Sequence, residues 1–142
     1  MDGRSDKRGD RYQSGQVVTS FIPTTEADVV RSMPLIRKAG LYFSPSTQLY
    51  LVQDDEKPVG ACGIVWFATS CKFKNQYVQP VYRGKGYFRA IMDFSIQEAL
   101  NRGIHVVDAT CTLMSVNEYI KRGAVIVHRY KTAGLVRVRL QI

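Results

Sequence analysis

From Gln16 onward the hydrophobic side chains fall into two repeats, one of period two and one near 3.6, and the switches between them divide the chain into elements. Val17, Val18, Phe21 and Ile22 form an apolar run that predicts a first strand, stopped by Pro23. Thr24 or Thr25, followed by Glu26 and Asp28, predicts a helix start, because a hydroxyl cap and early acids complement exposed amides and the helix dipole. Pro34 breaks that helix or begins another, and Leu35 to Ala39 continues helically until Gly40. Gln48 to Gln53 and Val59 to Thr69 are apolar runs around the charged turn Asp54-Asp55-Glu56-Lys57, a hairpin pattern. Lys72 to Gln79 predicts another strand, with Phe73, Asn75 and Tyr77 on one face and Val78 on the other.

Gly86 to Arg102 carries the clearest helical period. Phe88, Ile91, Met92, Phe94, Ile96, Ala99 and Leu100 form a broad stripe, and Asn101-Arg102-Gly103 is a stop signal. Ile104 to Ala109 is short and mostly apolar, as a buried strand is. Ser115 to Arg122 predicts a short helix closed by Gly123, and Val125 to Tyr130 with Leu135 to Ile142 predicts a last hairpin around Thr132-Ala133-Gly134. The order is β-α-α-β-β-β-α-β-α-β-β. Its central β-α-β crossover requires a parallel strand pair, so the expected fold is an α/β (α+β) three-layer domain. Residues 1–15 are polar and nearly free of aliphatic side chains, which predicts a flexible N-terminal arm before a single domain over 16–142.

Composition narrows the class. A chain of 142 residues, 45% hydrophobic and 23% charged, is neither disordered nor long enough for two full domains. The weakly polar run from Pro58 to Ser70 is shorter than the roughly 20 residues of a membrane span, and no charged-then-apolar signal opens the chain. A cytoplasmic protein without a membrane association is expected. Cys62, Cys71 and Cys111 contain no C-x-x-C pair, and His105 and His128 lack metal-ligand spacing from them, so buried free thiols and no metal are expected.

Charge changes the picture more. The formal charge is +8, with twelve Lys/Arg against four Asp/Glu in residues 72–142 and eight against eight in residues 1–71. The whole excess lies in the second half, where it points to nucleic acid, an acidic protein or a phosphorylated cofactor.

The chemistry concentrates in Tyr77-Val78-Gln79-Pro80-Val81-Tyr82-Arg83-Gly84-Lys85-Gly86-Tyr87-Phe88-Arg89-Ala90. A strand ends at a proline, and a basic glycine-rich loop leads into the strongest helix. Unpaired amides at a helix start, together with the dipole, make an anion site, and glycines allow close approach of phosphates. The same glycines also suit a plain tight turn. Neither G-x-x-x-x-G-K-[ST] nor G-x-G-x-x-G is present, since Arg89 occupies the place of the third glycine.

The run V-x-P-x-Y-R-G-K-G, the amphipathic helix after it, the short strand and Tyr119-Ile120-Lys121-Arg122-Gly123-Ala124 together resemble the GNAT superfamily of acyl-CoA-dependent N-acetyltransferases. The likeness of element order runs from Gln16 to Ile142. The family's loop signature, Q/R-x-x-G-x-G/A, falls on Arg83, Gly86 and Phe88, and its late motif, Y-x-x-x-G-F, falls on Tyr119, Gly123 and Ala124. The resemblance implies a mixed, mostly antiparallel sheet of about seven strands flanked by about four helices. It also implies that acetyl-CoA is the co-substrate, held by Arg83, Gly84, Lys85, Gly86, Tyr87 and Phe88. Tyr77, Val78 and Gln79 would run beside the pantetheine arm, with an amide near Val78 on the thioester oxygen, and Tyr119 would be the general acid. Phe88 is bulkier than the signature's sixth residue, and its place in the helix stripe predicts a ring turned into the core.

The proton acceptor is the second departure. No Asp or Glu occurs between Lys57 and Asp93, so the carboxylate that many members carry on the central strand is missing. A free lysine amine, with a pKa of about 10.4, must lose a proton before attack. A carboxylate elsewhere, a water chain or an already neutral amine remain. Asp108, late in its strand, is the best carboxylate candidate, with a surface or capping role as its alternative; Asp54, Asp55 and Glu56 read as solvated turn acids, and His105 as structural. Cys111 has no partner set for covalent catalysis. The expected function is direct acetyl transfer to an amine on a protein, a nucleic-acid-linked acceptor or a small molecule. The alternatives are a non-catalytic module that binds nucleic acid or an acidic protein, and transfer of a longer acyl chain. The apolar strand Leu135 to Ile142 is also expected as an edge available for a homodimer.

Overall fold

The computed structural model describes residues 10–14, 17–131 and 134–142. The elements are β1 (Asp10–Ser14), β2 (Val17–Thr24), α1 (Glu26–Ser32), β3 (Gln48–Asp54), β4 (Lys57–Trp66), β5 (Cys71–Val78), α2 (Tyr87–Asn101), β6 (Val106–Cys111), α3 (Val116–Lys121), β7 (Val125–Arg129) and β8 (Val136–Gln141). Short 3-10 turns occupy Pro34–Ile36 and Pro80–Tyr82. The strands form one eight-stranded sheet in the order β1-β2-β3-β4-β5-β6-β8-β7. Every neighbouring pair is antiparallel except β5 with β6, which α2 joins as the crossover. None of the described helices is long and apolar enough to cross a membrane.

Local chemistry accounts for the elements. Thr25 caps α1 through Oγ1, which accepts from the Asp28 amide at 3.2 Å. The turn between β3 and β4 places Asp55 and Glu56 at φ 52° and 65°, the twist a two-residue hairpin needs. At the far end of α2, the Arg102 guanidinium stacks 4.0 Å from the Trp66 ring centroid, and both side chains donate to Gln48 Oε1. Helices α2 and α3 cover one sheet face, where Met92, Ala99 and Tyr119 pack on Ile64, Phe73, Val107, Ala109 and Val138. On the opposite face α1 and the turn after it bring Val29, Met33 and Ile36 onto Leu51, Ala61 and Tyr77. Cys62, Cys71 and Cys111 are buried and free.

Several expectations need correction. Asp10–Ser14, assigned to the flexible arm, pairs with β2 and supplies the eighth strand, while residues 1–9 lie outside the described residues. Pro23 does not stop β2: it pairs with Tyr50 beyond the end of β1, where among the described residues β2 has no neighbour on that side to receive an amide. Leu35 to Ala39 forms a 3-10 turn and ordinary turns rather than a second α-helix, which leaves three α-helices among the described residues. β8 lies between β6 and β7, so the exposed edge belongs to β7 and not to Leu135–Ile142. Finally, Phe73 and Tyr77 occupy opposite faces. The β4–β5 register shifts between Ala61 and Gly63, where Asn75 takes φ 56°; this extra residue in β5 reverses the alternation.

Candidate active site

Strands β5 and β6 are paired only from Cys71 to Phe73 against Val107 to Ala109. Past that point β5 stays with β4 while β6 stays with β8, and the two splay apart. A cleft of about 770 Å³ fills the gap. Phe73 to Val78 form one wall, Thr110, Thr112, Met114, Ser115 and Glu118 the other, with Ala39 to Leu41 at one mouth and Tyr82 to Gly84 and Gly86 to Arg89 at the other. The gap also bares backbone. The Gln79 amide donates to the Val59 carbonyl at 2.8 Å, so alternation along β5 turns the Val78 amide away from β4 and toward the cleft.

The second feature is the start of α2. Gly84 and Gly86 have φ 77° and 102°, a backbone that disfavours a side chain, and a Cβ on Gly84 would meet nothing within 4 Å. Gly86 is the N-cap and supplies no side-chain cap, and the first turn contains no acid. Lys85 and Arg89 therefore add positive charge to the positive end of the dipole, an arrangement that favours an anion at this point. Arg83 folds back: its Nε donates to the Val78 carbonyl at 2.8 Å and its guanidinium lies over the Tyr77 ring. Tyr87, buried in the first turn, donates its hydroxyl to Asp54 and packs edge-on against Tyr82. Burial, then the hydrogen bond to Asp54, pushes the Tyr87 phenol up to about 12. Gln79 donates to the Pro58 carbonyl at 2.7 Å, and Phe88 is turned into the core as expected.

Tyr119 is buried, and its hydroxyl donates to Gln76 Oε1. Burial, then the neighbouring Cys111 thiol, holds the phenol well above its ordinary range, so it keeps its proton. Gln76, not Tyr119, lines the cleft; its Nε2 points to Met92 Sδ at 3.4 Å. Asn75, in the bulge, donates to the Tyr42 carbonyl at 3.1 Å and so ties the loop over the cleft to β5. Its Oδ1 is buried without a partner.

Asp108 does not line the cleft. It lies on the α1 side of β6, and its Oδ1 stands 3.2 Å from Arg139 Nε and 3.7 Å from Arg137 Nη2. The carboxylate in the cleft wall is Glu118, paired with Arg122 at 2.8 Å, which also holds Asp93 at 2.9 Å. Sequence reading passed over Glu118, Gln76 and Asn75. Glu118 adjoins Tyr119 on α3 and was findable by that proximity; the bulge at Asn75 leaves no signal in residue pattern.

The sequence profile of the acetyltransferase (GNAT) family matches residues 18–122. No curated protein sequence matches the chain. Among solved structures, the ribosomal-protein-S18-alanine N-acetyltransferase from Escherichia coli superposes with a TM-score of 0.72 at 14% identity, over 87% of this chain and 94% of that one. A GNAT family acetyltransferase from Elizabethkingia anophelis, with acetyl-CoA bound, gives 0.64 at 16% identity over 87% and 98% of the two chains. N-acetylglutamate synthase from Neisseria gonorrhoeae, complexed with coenzyme A and L-arginine, gives 0.67 at 17% identity over 86% of this chain and 33% of that one. At these identities the structural likeness is one of fold. The profile match spans most of the sequence and coincides with the splayed strands and the glycine-shaped start of α2, and the chain belongs to the GNAT acetyltransferase family.

Proposed function

We propose that the protein transfers the acetyl group of acetyl-CoA directly to an amine acceptor. The observation that carries this reading is the opening of the β5–β6 gap onto the uncapped, acid-free N-terminus of α2. In the proposal, amides from Gly84 to Phe88, with Lys85 and Arg89, receive the pyrophosphate. The pantetheine arm lies along the bared edge of β5 beside Tyr77, Val78 and Gln79. The Val78 amide donates to the thioester oxygen and stabilises the charge that develops as the amine attacks the carbonyl carbon. The carbon–sulfur bond breaks, the Gln76 side chain that separates Tyr119 from the cleft turns aside, and the thiolate takes a proton from the Tyr119 phenol, which is reprotonated from solvent as coenzyme A leaves. The proton shed by the amine leaves toward Glu118, directly or through water. Asp108 has no part in this scheme, because its carboxylate is engaged by two arginines outside the cleft.

Calorimetry with acetyl-CoA, followed by thiol release with an amine panel, tests the reading. Binding without saturation by any other nucleotide, and acceptor-dependent thiol release, are expected. Absence of acetyl-CoA binding would end it.

A further inference from the structure

Among the described residues, α1 and the turn after it cover their sheet face over β3, β4 and the end of β5. The buried residues of β6 and β8, Val107, Ala109, Cys111, Val136, Val138 and Leu140, all belong to the opposite face. On the α1 side the register sets two rows of exposed and half-buried side chains. Lys72, Asp108, Arg139 and Val125 lie across β5, β6, β8 and β7 in one row. Thr110, Arg137 and His128 lie in the next, with Lys74 on β5 where β6 has already diverged. Among the described residues Asp108 is the carboxylate in these rows, and it contacts the two arginines; no described carboxylate pairs with Lys72 or Lys74. The patch runs into the cleft, since Lys74 and Thr110 line both. The proposed phosphate site is at the other mouth, at the start of α2, so this mouth is the one left for the acceptor.

We infer that the acceptor is an acidic polypeptide segment, whose carboxylates dock on Lys72, Lys74, Arg137 and Arg139 while its amine enters the cleft. The amine's role rests on the acetyl-transfer reading above; the docking does not. Neighbouring strands are about 4.8 Å apart and alternate residues about 7 Å, spacings that match carboxylates on nearby residues of an extended peptide. A nucleic acid fits less well. The two rows contain no Tyr, Phe or Trp, Tyr130 just past β7 is turned edge-on to His128, and Asp108 at their centre repels a continuous phosphate backbone while discrete carboxylates can lie on either side of it.

The test is fluorescence anisotropy of the full chain, saturated with acetyl-CoA, against labelled peptides of one length that are acidic, neutral or basic. The acidic peptide is expected to bind at least about tenfold tighter than the neutral one. That gap should shrink severalfold in high salt and in R137Q/R139Q. Equal binding of acidic and neutral peptides to the unmodified protein overturns the inference, and this comparison stands even if the double variant fails to fold. An RNA oligonucleotide of equal charge that binds more tightly than the acidic peptide also overturns it, in favour of nucleic acid. Failure of the acetyl-transfer reading looks different: acetyl-CoA itself does not bind, whatever the peptides do.

Discussion

Asp55 and Glu56 hold left-handed backbone in the β3–β4 turn, a conformation that L side chains enter at a cost of roughly 1–2 kcal/mol each and that Asn and Gly enter readily. The replacement D55N/E56G is therefore expected to stabilise the protein, by up to about 1 kcal/mol after the added chain entropy of glycine is subtracted, as a rise in melting temperature. Behind Gln76, the proposed role of Tyr119 predicts that Y119F lowers kcat by roughly 10²-fold while leaving acetyl-CoA affinity within a factor of about two. A fall in affinity matching the fall in rate would instead mark Tyr119 as a packing residue. Gln76 is the partner that makes the measurement informative. Q76L removes the acceptor of the buried hydroxyl, and about 1–3 kcal/mol of stability is expected to go with it.

The elements act through what they leave unpaired. β5 loses β6 after Phe73, and α2 begins at a glycine without a side-chain cap, so two sets of backbone donors face one cleft. If that is an anion site, K85Q/R89Q raises the KM for acetyl-CoA about tenfold with little change in kcat, read from initial rates. Coenzyme A is expected to raise the melting temperature of the unmodified protein, since a ligand that binds the folded state alone stabilises it by mass action. The β4–β5 ladder is the support for this geometry. A Cβ on Gly60 would lie 2.1 Å from the Tyr77 carbonyl oxygen, so G60A is expected to destabilise the fold by about 1–3 kcal/mol in denaturant titration and to displace the wall that bears Val78.

For the whole molecule, the buried thiols and phenols decide the alkaline limit. Burial raises the Cys62 thiol to about 12 and the Cys71 and Cys111 thiols to about 11, from an ordinary value of 9.0. Tyr87 moves up from 10.0 to about 12. Each folded group keeps its proton at a pH where the unfolded chain releases it, so the stability it contributes is complete below about pH 9 and is lost as pH rises toward 12. Melting temperatures in reducing buffer are expected to be level around neutrality and to fall from about pH 9, less steeply in C62S. A curve that stays level to pH 12 contradicts the burial of these groups.

The sequence by itself determined most of the helices and strands from Val17 onward, the parallel crossover around α2, and the glycine-rich basic loop at the start of that helix. Those features are local: apolar period, capping residues and turn glycines act within a few positions of one another. Only the tertiary structure decided what faces what. The bulge at Asn75 reversed the faces of Phe73 and Tyr77, and the insertion of β8 beside β6 put Asp108 against Arg137 and Arg139 instead of in the cleft. The splay beyond Phe73 brought Glu118 and Gln76 to the cleft wall, and the eighth strand came from a polar segment whose residue pattern gave no signal. Strand register and sheet order are set by pairing between residues far apart in the chain, and a single inserted residue is enough to change which side chains meet.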